Sequence, residues 1–344
     1  MPTLSVALCT YNGERFLPAL LESLRAQIRL PEELVVCDDR SSDGTLAIVE
    51  FFARDAPFPV VIHQNHRNLG PTANFEKAAT LCRSEVIAFC DQDDVWFPEK
   101  VHRAVEAFAA DPDLSFSFSD GELIDAVGRP LGRGLWDAQG FGAARRDVAR
   151  RGDLLRLLVL HTFVTGASMA IRADLRELAF PIPRGWVHDA WLALVGAFVG
   201  PYRMLEEPLL SYRVHPEQAI GVPVASPEET FWPRWRRRLG QAFDLRSTDL
   251  RRQRKRSQSS LYAGAADRLA EASGRYIASR GGKPPRHAEQ ILHELRDRAE
   301  HLKVRGNLPD HRARRLRVVL GEVRNGRYRR YSASVLNAVQ DLLY

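Results

Sequence analysis

The sequence is organised around residues 84–98, which read SEVIAFCDQDDVWFP. Its apolar run, Val86–Cys90, has the length and composition of a buried strand. The run ends in Asp91-Gln92-Asp93-Asp94, where three carboxylates within four residues would repel one another and be costly to bury unpaired. A divalent cation would remove that repulsion, because Mg²⁺ and Mn²⁺ prefer oxygen ligands. A solvated loop, or the start of a helix after Pro98, accounts for the same acids equally well.

Strand and helix patterns alternate on both sides of this stretch. Before it, the sequence predicts strands at 4–9, 33–37 and 60–63 and helices at 14–27, about 45–52 and 72–83. After it, we expect a helix to about residue 109, strands at 115–119, 123–124, 165–171, 202–205 and 209–212, helices at 154–160 and 185–198, and a glycine-rich loop over 128–142. This alternation is typical of βαβ units and predicts an α/β fold with a mostly parallel, doubly wound sheet.

Polar residues follow the predicted strands at the points where they end. Thr10-Tyr11-Asn12 comes after the first strand, Asp38-Asp39 after the second, and the acidic cluster 91–94 after the fourth. Ligands of such sheets bind outside the carboxyl ends of the strands, so these residues predict one binding site. No GxGxxG follows the first strand, which argues against a nicotinamide-binding domain. The lack of a basic glycine-rich phosphate loop there weakens a nucleotidyltransferase as well.

Composition and charge separate the chain into two parts. The 344 residues are 45% hydrophobic and 27% charged, as in soluble globular proteins. No apolar run has the ~18 residues of a membrane span, the N-terminus lacks signal-peptide features, and the four cysteines show no metal-ligand spacing, so we expect a cytoplasmic protein. Residues 230–344 hold 27 Lys and Arg against 11 Asp and Glu, whereas residues 1–229 hold 22 against 32. A strongly basic C-terminal third therefore follows a mildly acidic body.

Five motifs resemble those of a known family: SVALCTYNG, VVCDDRSSDGT, NLGPTANF, AFCDQDDVWFPEK and HDAW. Together they resemble an inverting family 2 glycosyltransferase of the GT-A fold, with the bacterial rhamnosyltransferase-like branch as the nearest match. The resemblance covers roughly residues 3 to 220, and its motifs occur in the family's order and spacing. It implies a nucleotide-diphosphate sugar donor, Mg²⁺ or Mn²⁺ bound through a DxD motif, and a carboxylate base late in the domain.

The resemblance assigns most of the predicted site residues to the donor and the metal. Asp39 would accept the imide N–H of uracil or thymine, and Asp91 would reach hydroxyls of the ribose or the sugar. Asp93 would bind the metal, with Asp94 behind it or ligating through water, and His215 would be a metal or phosphate ligand. The remaining nucleotide or donor contacts would come from Thr10, Tyr11, Asn12, Asn68, Asn74 and Gln92.

On the acceptor side, the resemblance assigns Asp189 as the catalytic base and Trp191 as an acceptor contact. The residues alone leave other roles open. Asp189 could simply cap the following helix, and Trp191 could be a packing residue. For His188 we expect a structural role, and for Gly166 a close approach of backbone. The acids Asp38 and Asp43 are expected to fix a turn or cap a helix.

We expect a glycosyltransferase domain over residues 1–222 and a basic α-helical region over 223–344. The latter shows helical patterns at 243–274, 287–304, 312–323 and up to 344, and it interleaves aromatic residues with arginines over Phe231–Arg238. This region could contact an anionic membrane, bind nucleic acid or pack on the domain. The lack of a recognisable nucleic-acid module disfavours nucleic acid, and a position at the inner membrane face fits a lipid-linked acceptor.

The sequence therefore predicts a metal-dependent inverting glycosyltransferase of cell-surface glycan assembly. Its donor would be a dTDP- or UDP-sugar, with rhamnose as one candidate sugar, and its acceptor a hydroxyl of a polysaccharide or lipid-linked glycan. Two alternatives remain open. One is a transferase with a UDP-hexose donor, and the other is a nucleic-acid-binding or scaffold protein with a degenerate sugar-nucleotide site.

Overall fold

The computed structural model of the chain describes residues 1–218, 246–280, 288–332 and 336–343. Two compact units make up the chain: Met1–Val224 with Ala272–Arg286, and Ala225–Glu271 with His287–Tyr344. The predicted boundary between residues 222 and 223 lies outside the described residues, as does Phe231–Arg238, so both stay predictions. The two units are described separately.

A nine-stranded sheet within residues 1–218 forms the first unit. The strand order is β3-β2-β1-β4-β8-β6-β9-β5, and β7 pairs with β6. Strands β1 to β4 are parallel to one another, whereas β8 is antiparallel to both β4 and β6. The strands are β1 Leu4–Thr10, β2 Glu33–Asp38, β3 Val60–Gln64, β4 Val86–Asp91, β5 Val95–Trp96, β6 Phe116–Ile124, β7 Pro130–Gly134, β8 Met169–Arg172 and β9 Tyr202–Arg213.

Helices cover the sheet and bury their apolar faces against it. In α1, for example, Leu17, Leu20, Leu21 and Leu24 are buried at helical spacing in the same core as Leu4, Val6 and Leu8 of β1. Burial of such leucines stabilises a fold by about 1.5–3 kcal/mol each. The helices are α1 Leu17–Arg25, α2 Thr45–Ala53, α3 Pro71–Leu81, α4 Lys100–Ala110, α5 Leu135–Ala138, α6 Ala143–Arg150, α7 Leu154–Leu158, a 3₁₀ turn Gly166–Ser168, α8 Leu175–Ala179 and α9 His188–Val199.

Three regions differ from the predicted elements, and β5, α6 and α8 were not predicted. The expected loop 128–142 contains β7 and α5, because Leu135 and Trp136 are buried there among its glycines. The expected strand pairs 115–119/123–124 and 202–205/209–212 are the single long strands β6 and β9, whose register shifts around Asp120. The expected strand 165–171 begins as the 3₁₀ turn, and only Met169–Arg172 pairs as β8.

Helices form the second unit, as expected for the basic C-terminal region. They are α10 Arg246–Arg280, which ends in the first unit, α11 Ala288–Gly306, α12 Arg312–Arg324, α13 Arg327–Tyr331 and α14 Leu336–Leu343. Leu308, Val319, Tyr328 and Ala338 form a small apolar core. Across the described ranges, none of the helices has both the length and the apolar character that crossing a bilayer requires.

Candidate active site

Asp39, directly after β2, is held by donors from the β3–α3 loop. Its Oδ1 accepts hydrogen bonds from Asn65 Nδ2 at 2.8 Å and Leu69 N at 2.7 Å, and its Oδ2 accepts from Gly70 N at 2.9 Å. A carboxylate oxygen has two lone pairs, so one on Oδ2 has no partner among the described residues. The carboxylate is thus oriented by the backbone and keeps capacity for one further donor.

The two predicted asparagines reach Asp39 in different ways. Asn74 is 2% exposed, donates to Cys37 O at 2.8 Å and accepts from Asn65 Nδ2 at 2.8 Å, so its amide is committed to the support of Asp39. Asn68 is exposed and bridges the Asp39 carbonyl and the Gly70 amide. Donor contact by Asn68 and Asn74 stays a prediction.

The loop after β1 is fixed by side chains from neighbouring strands. Thr10 donates to Asp38 Oδ1 at 3.0 Å, and Asn12, at a left-handed φ of 49°, accepts from Ser42 N at 2.8 Å. Gln92 accepts from Tyr11 N at 2.8 Å and donates to Tyr11 O at 3.0 Å. Thr10, Asn12 and Gln92 therefore shape this loop, while the Tyr11 side chain is exposed. Their nucleotide contacts stay predictions.

The carboxylates of Asp91 and Asp189 share one turn of backbone. Asp189 Oδ2, at the start of α9, accepts from Gly166 N at 3.1 Å, and the next amide, Ala167 N, hydrogen-bonds Asp91. Burial raises the pKa of Asp91 to about 8, and repulsion from Asp93 and Asp189 adds to the rise. Asp189 is thus an electrostatic neighbour of the acidic cluster, although it is remote in sequence.

The side chains of Asp93 and His215, both predicted as metal ligands, lie next to each other. His215 Nε2 lies 2.9 Å from Asp93 Oδ2, and the two side chains are 7% and 14% exposed. This contact is a direct hydrogen bond between the two side chains, and its length also equals the spacing of about 3 Å between cis ligands of an octahedral Mg²⁺. Among the described residues no group of three or more His, Cys, Asp or Glu forms a metal cage. Mg²⁺ is usually held by one or two carboxylates together with substrate phosphates, and Asp93 would supply the carboxylate here.

Asp94, by contrast, belongs to the interior. It is 0% exposed, its Oδ1 accepts from Arg213 N at 3.0 Å, and burial and the neighbouring acids raise the pKa of its carboxyl. Arg213 also donates from Nε to Asp93 O at 2.7 Å, and its guanidinium lies 4.9 Å from the Phe16 ring centre. Burial, then repulsion from Asp94, Asp91, Asp93 and Asp189, raises the pKa of Tyr212, so β9 brings this phenol close to all the acids.

Lys100 at the start of α4 is a buried cation beside these acids. Its Nζ donates to Ala167 O at 2.7 Å and lies 4.6 Å from the Trp96 ring centre. Burial lowers the pKa of Lys100 to about 8, against the attraction of Cys90, Asp94 and Asp91. Lys100 therefore braces the same turn whose amides hold Asp91 and Asp189.

Gly166 and His188 have the structural roles predicted for them. A Cβ at Gly166 would lie 2.4 Å from His188 Nε2, so only glycine lets the turn approach α9 this closely. The His188 ring stacks on Phe75 with centres 4.1 Å apart, and burial lowers the pKa of His188, so it is a neutral packing residue.

The acceptor contact predicted for Trp191 is wrong. Trp191 is 0% exposed, and its indole N–H donates to Ala179 O at 2.8 Å. On helix α9 its side chain points into the core rather than toward Asp189, so no face of the indole is available to a sugar ring.

Four residues of this site were not predicted: Asn65, Lys100, Tyr212 and Arg213. Lys100 ends the motif AFCDQDDVWFPEK, and Asn65 lies three residues before NLGPTANF. Tyr212 and Arg213 lie just before the predicted ligand His215. Their contacts join residues 26 to 120 positions apart, which no local pattern shows.

Comparisons with known proteins show the family and the fold of the chain. Residues 5–178, half of the chain, match the model of glycosyl transferase family 2. An uncharacterized glycosyltransferase of Nostoc sp. is 29% identical over 222 residues, or 62% of this chain and 65% of that protein. Chondroitin synthase of Escherichia coli is 28% identical over 134 residues, or 39% of this chain and 19% of that protein.

A solved structure shows the same fold. S. aureus TarS residues 1–349, in complex with UDP-GlcNAc, has a TM-score of 0.52 and 18% identity, covering 96% of this chain and 89% of that one. This likeness confirms the predicted GT-A-like α/β fold. The match spans 65% of the Nostoc protein and 59% of an uncharacterized Mycobacterium tuberculosis relative that is 27% identical, so these relatives are longer than the matched region. The family model extends from β1 through α8, and on that match the chain belongs to glycosyl transferase family 2.

Proposed function

We propose that the chain is a metal-dependent, inverting glycosyltransferase that moves a sugar from a nucleotide-diphosphate donor to a hydroxyl of a glycan or lipid-linked acceptor. The observation that carries this proposal is the shared turn at Gly166–Ala167, which holds Asp189 beside Asp91. One carboxylate for the acceptor therefore stands next to the acids that suit the donor.

Asp189 has the position and exposure of a general base. A sugar hydroxyl has too high a pKa to attack unaided, so a carboxylate within hydrogen-bond reach must take its proton. The hydroxyl oxygen then bonds to the anomeric carbon while the bond from that carbon to the diphosphate breaks. Hydrogen bonds from Gly166 N and Ala190 N orient Asp189, and its half-buried side chain remains accessible to an acceptor.

The other carboxylates of the site, those of Asp39, Asp91 and Asp93, would bind the donor and its metal ion. The remaining lone pair of Asp39 suits the imide N–H of uracil or thymine, which supports a UDP- or dTDP-sugar, dTDP-rhamnose included. Asp91 lies between Asp93 and Asp189, where it would accept hydrogen bonds from donor hydroxyls. Asp93 and His215 would hold Mg²⁺ or Mn²⁺, which supplies positive charge to the diphosphate oxygens as negative charge develops there.

Titration calorimetry of the full chain with UDP and with dTDP, each with and without Mn²⁺, tests this proposal. We expect one of the nucleotides to bind, and to bind more tightly with Mn²⁺. Screening nucleotide sugars for Mn²⁺-dependent hydrolysis or transfer would then identify the sugar. Failure of both nucleotides to bind in either condition would overturn the enzyme and favour a scaffold with a degenerate site.

A further inference from the structure

Helix α12, Arg312–Arg324, presents an apolar stripe outward from the second unit. Leu316, Leu320 and Val323 are 45%, 42% and 38% exposed, respectively. Their spacing of four and three residues places them along one face of the helix, about 20 Å long. Isolated exposed leucines are ordinary, whereas these three side chains in line on one helix face form a small continuous apolar surface.

The face of α12 that lies about 100° around the helix from this stripe packs against its own unit. Val319 lies in the small apolar core, and the buried Arg315 donates to Pro309 O at 2.8 Å and Asp310 O at 3.1 Å. Glu322, also buried, accepts from Arg327 at 3.0 Å. The stripe is therefore an outer face of a helix whose inner face has its partners.

Arginines line both sides of the stripe. On a helical projection, Arg312 flanks it on one side and Arg317 and Arg324 on the other, with Arg314 beyond them; all are exposed. Within the described part of the chain, none of these arginines pairs with a carboxylate. Cations in the first turn oppose the helix dipole, and that turn contains no acid to offset them. Arg312 and Arg314 in that turn thus weaken the helix, whereas Arg324 in the last turn is favourable to the dipole. The exposed arginines beside the stripe therefore offer positive charge to an external anionic partner.

We propose that the face formed by Leu316, Leu320, Val323 and their flanking arginines docks on an anionic lipid surface. An aliphatic stripe edged by arginines matches an interfacial helix, whose apolar side enters the acyl boundary while guanidinium groups reach the headgroups. Nucleic acid would supply phosphates for the arginines but would leave the aliphatic stripe without a partner. The inference deepens the membrane-linked acceptor of the proposed function, yet docking itself requires no catalysis.

Sedimentation of the full chain with vesicles tests the proposal without donor or acceptor. We expect binding to vesicles of phosphatidylcholine with phosphatidylglycerol, and at least about tenfold weaker binding to phosphatidylcholine alone. The variants Leu316→Ser/Leu320→Ser and Arg312→Glu/Arg317→Glu should each weaken binding to the anionic vesicles by about tenfold or more. Each variant is first compared with the wild type by circular dichroism and melting temperature.

Matched controls lie on other helices of the same unit. Leu250→Ser changes a leucine that is 67% exposed on α10, and Arg254→Glu/Arg296→Glu makes the same change in net charge away from α12. Both controls should bind as the wild type does. The proposal would be overturned if the folded α12 variants bound anionic vesicles as the wild type does, or if the controls lost as much vesicle binding as those variants. It would also be overturned if the wild type did not bind anionic vesicles, or if it bound duplex DNA more tightly than vesicles. Nucleotide binding, measured in the same α12 variants, tests the proposed glycosyltransferase separately from the docking on lipid.

Discussion

At the scale of single residues, the candidate site divides its carboxylates between two tasks. Asp93 hydrogen-bonds His215, whereas Asp189 accepts a hydrogen bond from the Gly166 amide, and both carboxylates repel Asp91. A group that binds the donor acts before transfer, and a base acts only as the acceptor hydroxyl attacks. Substitutions at the two ends should therefore fail at different steps.

Asp93→Ala and Asp189→Asn test that division. We expect Asp93→Ala to abolish the Mn²⁺-dependent part of nucleotide affinity, because it removes one of the two proposed protein ligands. Asp189→Asn should keep nucleotide affinity within about twofold and lower kcat by about 10²-fold or more, because an amide cannot accept the proton. Calorimetry and initial rates measure the two effects. Equal loss of nucleotide affinity in both variants would show that the base is misassigned.

Lys100 should act through the turn rather than on the substrate. In Lys100→Met the ammonium that braces Ala167 O is lost, and we expect kcat to fall about tenfold while nucleotide affinity changes little. Lys100→Arg, which keeps a cationic donor, should recover part of that loss. Steady-state kinetics on folded protein distinguishes the two variants. An unchanged kcat in Lys100→Met would contradict the bracing role.

At the scale of elements, the 3₁₀ turn 166–168 fixes where α9 begins relative to β4. In Gly166→Ala the new Cβ would meet the His188 ring, and we expect a loss of about 1–3 kcal/mol in stability and a lower kcat. The double variant Gly166→Ala/His188→Ala removes the ring that the new Cβ would meet. Its loss of unfolding free energy should therefore be smaller than the sum of the losses in the two single variants. Melting temperatures and denaturant unfolding measure this cycle, and simple additivity would show that the contact is relieved elsewhere.

The same turn shows where sequence reasoning succeeds and where it stops. Strands β1, β2 and β4 were predicted to within a residue of their ends, because apolar runs that stop at polar clusters are local signals. By contrast, the turn was predicted as part of a strand. Its contacts are with Lys100, Asp91 and Asp189, which come from three distant segments, so no local pattern could reveal it. Similarly, β7 and α5 were missed because burial of Trp136, not local periodicity, orders that glycine-rich segment.

At the scale of the whole molecule, the chain combines a site-bearing unit with a basic helical unit that has its own polar interior. His301 is 0% exposed, with Nδ1 2.6 Å from Glu322 Oε2 and Nε2 3.1 Å from Ser332 Oγ. Nearby, Asp341 receives hydrogen bonds from Lys255 and Tyr328, both at 2.7 Å, and from Arg305. Satisfied networks of this kind specify one packing of helices, and they are sensitive to the charge of each member.

Stability of this unit should therefore depend on pH through His301. Burial, assisted by repulsion from Arg305 and opposed by Glu322 and Asp341, lowers the pKa of His301 below its ordinary 6.5. As the pH falls through that value, the unfolded chain binds a proton before the folded unit does, so stability present at higher pH is lost on acidification. We expect the melting temperature to fall between about pH 7.5 and about pH 5.5, and to fall less in His301→Gln. His293 is an exposed histidine on the same helix, and His293→Gln should keep the wild-type dependence of melting temperature on pH. If His301→Gln also kept that dependence, groups other than His301 would be its cause.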